Sequence, residues 1–249
     1  MFSNFGGFPR KASFASRFST APISAMLFDF DDVLMVTEDN AHKIFEIMFV
    51  QMEVGGHKRP NGISFKDKRS EEKSVDFLTR VYADPVLGQK AYDIVETLYY
   101  QTEIPAVEGA AETLRLLKQN NTPFAIVSNL RNELLEYRFK RLFGEFEGTV
   151  VLGQSRKPEP DNIHRALEIL GITDPKEVLF VGDKMDTDVK AAIAAGCHPV
   201  FFGPIDFEGV KRIKEETGYK GPVGWVSNHQ ELRELIIGRS KSKPPPHPR

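Results

Sequence analysis

Asp29, Asp31 and Asp32 put three carboxylates within four residues, directly after the apolar run Met26-Leu27-Phe28. A run of this kind reads as a buried parallel strand. Open α/β sheets bind ligands just past the carboxyl ends of their strands. Asp29 and Asp31 are two residues apart at the point where strand gives way to loop. Their repulsion has no structural benefit unless a cation or a shared proton offsets it. The pair therefore suits a site that holds a cation and moves protons.

Three further stretches carry polar residues at the ends of apolar runs or in the loops that follow them. They are Ile126-Val127-Ser128-Asn129, Lys157-Pro158-Glu159-Pro160, and Gly182-Asp183-Lys184-Met185-Asp186-Thr187-Asp188. Each is weak alone. Ser-Asn is a common helix-capping pair, a lysine before proline is an ordinary loop charge, and scattered aspartates serve as turn and cap residues.

The elements that must position these residues alternate. The apolar stretches near residues 26, 123–127, 149–152, 178–181 and 199–202 read as strands. Helical patterns are expected over about 110–117, 133–143, 160–171, 187–195 and 231–237. This alternation predicts an α/β fold, a parallel sheet with helices on both faces. Residues 38–103 differ, with three helices and no strand. Ala41, Ile44, Phe45, Met48 and Met52 share one helical face, and Gly55-Gly56 ends that helix. A loop is expected over 55–69. A second helix is expected from Ser70 with Val75, Leu78 and Tyr82 inward, and a third from Pro85 with Leu87, Ala91, Ile94 and Leu98 inward.

Taken in order, the four motifs and the helical insert resemble the haloacid dehalogenase superfamily, in its phosphoglycolate-phosphatase-like branch. The resemblance spans about residues 25–237. It implies a Rossmann-like core, 25–37 and 104–237, with an inserted α-helical cap domain, 38–103. It also implies a magnesium-dependent phosphohydrolase acting on a small phosphorylated metabolite. On the matching positions, Asp29 is the nucleophile that forms a phosphoaspartate and Asp31 the general acid/base. Ser128 orients the phosphoryl group, with Asn129 beside it as a substrate contact, and Lys157 pairs with nucleophile and phosphate. Mg²⁺ falls to Asp183, Asp188, Asp29 and the Asp31 backbone carbonyl. Two positions depart from the pattern: Asp32 stands where glycine is usual, and Lys184 where a small hydroxyl residue is frequent, with Asp186 as the expected partner of Lys184. Asp accepts left-handed backbone better than most residues.

The residue types suit that chemistry on physical grounds. A phosphate monoester and a carboxylate nucleophile repel, by about 4 kcal/mol for unit charges 4 Å apart at an effective dielectric near 20. A hard divalent cation on oxygen ligands offsets this, and a lysine adds a point charge. An acid two residues from the nucleophile can protonate the leaving alkoxide and then deprotonate water. Three other functions stay open. A 2-haloacid dehalogenase needs no second aspartate, a sugar-phosphate mutase keeps every motif, and a non-enzymatic receiver-like binding domain lacks the paired aspartates and the insert. Hydrolysis of para-nitrophenyl phosphate with and without Mg²⁺ separates these classes.

The chain has 249 residues, is 41% hydrophobic and 27% charged, and carries a formal charge of −2. These values fit a soluble globular protein and give no electrostatic reason to expect nucleic acid or anionic membrane as partner. No run of ~18 apolar residues predicts a membrane span. Monomer and homodimer are both compatible with the sequence. Cys197 is the single cysteine and reads as a small buried hydrophobe, and the six histidines read as surface or capping residues. Residues 1–24 hold Arg10, Lys11 and Arg17 and no acid. They suit a transit peptide, which would place the protein in a mitochondrial or plastid matrix rather than the cytoplasm, or else a tail without an address. Residues 238–249, rich in Pro and Lys, read as a disordered tail.

Overall fold

The computed structural model describes residues 23–68 and 72–240. The expected transit peptide lies almost wholly outside these residues, and so does the C-terminal tail beyond Ser240. The described chain divides into two compact units, the insertion Met35–Ala106 and the sequence on either side of it.

The larger unit is built on six parallel strands among the described residues: β1 (Ala25–Phe28), β2 (Phe124–Val127), β3 (Val150–Leu152), β4 (Val178–Gly182), β5 (His198–Phe202) and β6 (Gly224–Val226). Their order is β3-β2-β1-β4-β5-β6. β1 is central, with Leu27 opposite Ala125 on one side and Phe180 on the other. Every residue of β1 and β4 is buried, as expected of strands covered on both faces. Alternate residues Ala25, Leu27, Ala125, Val127, Val178 and Phe180 pack against Ile163, Ala166, Ala191 and Ala192 in one core layer. Cys197 lies in that layer, where burial pushes its thiol up to about 12, so it packs as a hydrophobe. Chain reversal at β1 marks a switch point, since β2 and β4 lie on opposite sides of it.

The helices of this unit follow the expected alternation, with differences. In the insertion, α1 is Glu38–Val54, α2 Ser74–Tyr82 and α3 Pro85–Gln101; in the larger unit, α4 is Ala110–Gln119, α5 Asn132–Phe143 and α6 Asp161–Ile169. The single helix expected over 187–195 is a five-residue wide turn, Met185–Val189, followed by a short α7, Lys190–Ala194. A helix α8 (Phe207–Thr217) and strand β6 were not expected from the sequence pattern. The last helix, α9 (His229–Ser240), runs past the expected start of the tail at 238.

Within the insertion, α1 buries Ala41, Ile44, Phe45, Met48 and Met52 as expected, with Asn40 and Phe49, and Gly55 caps it. The stripe on α2 is Phe77, Leu78 and Val81, not Val75, Leu78 and Tyr82, and the helix starts at Ser74 rather than Ser70. Ser70 and Glu71 lie outside the described residues. α3 begins with Pro85 after an Asp84 cap whose carboxylate accepts from Val86 and Leu87 N–H, and it buries Gly88, Ala91, Val95 and Leu98. The two ends of the insertion run side by side, joined by a bridge between Met35 and Ala106 and a Val36 N–H bond to the Pro105 carbonyl.

Candidate active site

Asp29, Ser128 and Asp183 sit where a strand releases the chain, and Lys157 and Asp188 in the segments that follow β3 and β4. The Asp29 N–H still bonds to the Val181 carbonyl, at 2.8 Å, and the Ser128 N–H to that of Leu152, at 3.0 Å. Sheet hydrogen bonding therefore fixes both backbones at the carboxyl edge. The Ser128 hydroxyl accepts from Leu130 N–H at 3.1 Å, closing a small turn. Asn129 Oδ1 accepts the Lys157 N–H at 2.9 Å. The third motif is thus tied to the second by a side chain that reads as a simple cap in sequence.

Lys157 is buried, and its Nζ lies 2.5 Å from Asp29 Oδ1 and 2.7 Å from Asp188 Oδ1. Burial works against the Lys157 charge, but Asp188 and Asp29 more than overcome it and hold the ammonium well above its usual range. Asp29, Asp183 and Asp188 each present a carboxylate oxygen within 4.8 Å of the others. Burial pushes Asp29 up to about 7, against the pull of Lys157, with Asp188 and Asp31 adding to the rise. Burial likewise pushes Asp183 up to about 8, with Lys184 opposing. Three carboxylates, with Asp31 nearby, thus face the ammonium groups of Lys157 and Lys184.

The fourth motif turns tightly. The Lys184 N–H donates to Asp188 Oδ2 at 3.0 Å, and the Lys184 carbonyl accepts from both Asp188 and Val189 N–H. A Cβ on Gly182 would stand 2.2 Å from the Asp188 Cβ. Only the absence of a side chain lets Asp188 approach the strand so closely. Gly182 is thus a site residue that the motif contained but that strand-end reading did not single out.

The remaining positions are placed as follows. Asp31 is half-buried, close enough to Asp29 to raise its pKa. Asp32 has φ 55°, so the left-handed backbone expected at this position is present without glycine. The expected pairing of Lys184 with Asp186 is not found. Asp186 bonds Arg212 of α8 at 2.7 and 2.9 Å and lies 3.0 Å from Lys190. Asp186 is pulled down to about 2 by the Arg212 bonds, while the Lys184 Nζ lies 3.7 Å from Asp183 Oδ2. His229 corrects the reading of the histidines as surface or capping residues: it is fully buried, bonding the Val33 carbonyl at 2.7 Å and Thr113 Oγ1 at 3.0 Å.

The donor set fits a hard divalent cation. It is all oxygen, as such ions require, and Asp183 Oδ1 is buried with no hydrogen-bond partner among the described residues.

A family model described as haloacid dehalogenase-like hydrolase matches residues 23–196. The chain belongs to the haloacid dehalogenase-like hydrolases. Among solved structures, the hydrolase resembles a haloacid dehalogenase family hydrolase from Deinococcus radiodurans R1, whose crystal structure holds bound phosphate and sodium. The two are 26% identical with a TM-score of 0.62, over 88% of this chain and 97% of that one. It shares its fold with a candidate phosphoglycolate phosphatase from Lactobacillus delbrueckii subsp. bulgaricus, at 19% identity and TM-score 0.66, over 86% and 98% of the two chains. A candidate beta-phosphoglucomutase from Thermotoga maritima gives 19% and 0.64, over 86% and 99%. No curated protein sequence matches the hydrolase. No helix among its described residues is long and apolar enough to cross a membrane.

Proposed function

We propose that this hydrolase is a magnesium-dependent phosphatase that cleaves small-molecule phosphate monoesters through a phosphoaspartate on Asp29. One observation carries the reading: the Asp29 carboxylate stands at the end of the central strand, paired with buried Lys157 and grouped with Asp183 and Asp188. The Deinococcus relative, with phosphate in its crystal structure, supports the same ligand chemistry here.

Asp29, Asp183, Asp188 and the Asp31 carbonyl would hold Mg²⁺, which when bound supplies positive charge to the phosphate oxygens and to the crowded carboxylates. Asp29 attacks phosphorus, and the bond from phosphorus to the ester oxygen breaks. Asp31 gives its proton to the departing alkoxide. Lys157 and the Ser128 hydroxyl, with Asn129 beside it, hold the phosphoryl oxygens, so the protein's work is positioning and charge stabilisation. Water then attacks the phosphoaspartate as Asp31 takes its proton, and Asp29 returns as carboxylate with inorganic phosphate released.

The test is hydrolysis of para-nitrophenyl phosphate with Mg²⁺ and in excess EDTA, followed by release of inorganic phosphate from a panel of phosphometabolites. Metal-dependent release is expected. Activity unchanged in EDTA would refute the metal requirement, and phosphate moved within a sugar without net release would make the enzyme a mutase.

A further inference from the structure

Two lysines face the acidic cluster, and they are held differently. Lys157 is buried and locked between Asp29 and Asp188. The side chain of Lys184 is 58% exposed, and its one ion pair among the described residues is the 3.7 Å approach to Asp183 Oδ2. Its backbone is anchored in the site by the bond to Asp188 Oδ2, while the ammonium is on a long tether with solvent on one side. The neighbouring acid that would draw it away, Asp186, is already occupied by Arg212 and Lys190. The same Asp183 carboxylate that meets Lys184 through Oδ2 leaves Oδ1 buried and without a hydrogen bond. One carboxylate thus offers an oxygen to an exposed ammonium and another to an incoming cation.

We propose that Lys184 is a displaceable internal counter-ion: its ammonium partly neutralises the Asp29–Asp183–Asp188 cluster in the metal-free protein and is driven out towards solvent when a divalent cation binds. The inference rests on the reading that these carboxylates hold such a cation. Lys184 therefore lowers metal affinity and supports the metal-free fold. A unit charge displaced to about 6–8 Å from a divalent ion, at the dielectric of bulk water, corresponds to roughly a five- to tenfold change in binding. Salt should shrink it.

The test is calorimetric titration of the full chain with Mg²⁺, for wild type, Lys184→Gln and Lys184→Arg, with melting temperatures measured in EDTA and in saturating Mg²⁺. Lys184→Gln is expected to bind Mg²⁺ about five- to tenfold more tightly at low salt, and Lys184→Arg, which keeps the charge, to stay near wild type. In EDTA, Lys184→Gln should melt below wild type; in saturating Mg²⁺ the difference should disappear. Equal or weaker Mg²⁺ binding by Lys184→Gln, with wild type binding normally, overturns the counter-ion role alone. Absence of Mg²⁺ binding by all three proteins overturns the metal reading and this inference with it.

Discussion

Replacing His229 by Gln should change how the stability of this hydrolase depends on pH. His229 is fully buried, and burial pushes its imidazole down to about 4 from 6.5; the Val33 carbonyl opposes this, and Arg233 adds to it. The ring is neutral at pH 7. A carbonyl can only accept, so Nε2–H donates to Val33, and Nδ1 accepts the Thr113 hydroxyl proton. The Gly109 carbonyl is served at 2.8 Å by Arg233. Above the unfolded pKa both states are neutral and His229 adds no pH dependence. As pH falls from 6.5 to about 4 the unfolded chain protonates first, and the native state loses about 1.4 kcal/mol per pH unit, roughly 3 kcal/mol in all. Asp29 and Asp183 act in the opposite sense, because their folded pKa values are raised. Their contribution to the metal-free protein is present at acid pH and lost as pH rises through about 7 to 8. A single pH profile therefore mixes both, and the difference between wild type and His229→Gln isolates the histidine. Urea unfolding at neutral pH should show the variant about 1–3 kcal/mol weaker, from the buried bonds it fails to reproduce. Between about pH 7 and pH 4 the difference should shift by roughly 3 kcal/mol in favour of the variant, which closes the gap or reverses it. Parallel curves with a constant gap would refute a buried neutral imidazole.

Other changes test the site and the core. Gly182→Ala should force Asp188 away from β4, since the new Cβ would meet it at 2.2 Å. The Mg²⁺ concentration for half activity should rise at least tenfold, about 1.4 kcal/mol, as read by metal titration. Asp31→Asn should slow single-turnover phosphorylation by alkyl phosphates far more than by para-nitrophenyl phosphate, whose leaving group needs no proton; equal losses would remove Asp31 as the acid. Leu27→Ala, at a fully buried position of β1, should cost about 2–5 kcal/mol in urea unfolding.

What the sequence made legible followed from how local the cause was. β1 and β4 are buried along their whole length, so their apolar runs stood out, and the carboxylates closing them marked the sheet edge. β6 has three residues and α8 buries only Gly209 and Ile213, too little pattern to read. In α2 only Leu78 of the expected stripe is buried, because a nine-residue helix has too few turns for spacing to fix its inward face. Its start was placed at the good capping residue Ser70, whereas the helix begins at Ser74 after Lys73. The pairing of Asp186 with Arg212 and the role of His229 had no local signal, although Lys190 stands four residues from Asp186. Arg212 is 26 residues from Asp186, and the partners of His229 are 116 and 196 residues away, brought together only by the sheet order. The four motifs were readable because each is a contiguous segment at a strand end or in the loop that follows one. The approach of Lys157 to both Asp29 and Asp188 needed the fold.

The central claim is that Asp29 carries the phosphoryl group, and the most direct measurement is to look for it there. The enzyme is mixed with para-nitrophenyl phosphate and Mg²⁺, quenched in acid within the first turnover, digested and sequenced by mass spectrometry. Wild type should show one phosphoryl adduct on the peptide containing Met26 to Leu34, at Asp29. Asp29→Asn should show none and lose turnover while unfolding in urea as a folded protein does. An adduct on any other residue, or full activity in Asp29→Asn, would contradict the account.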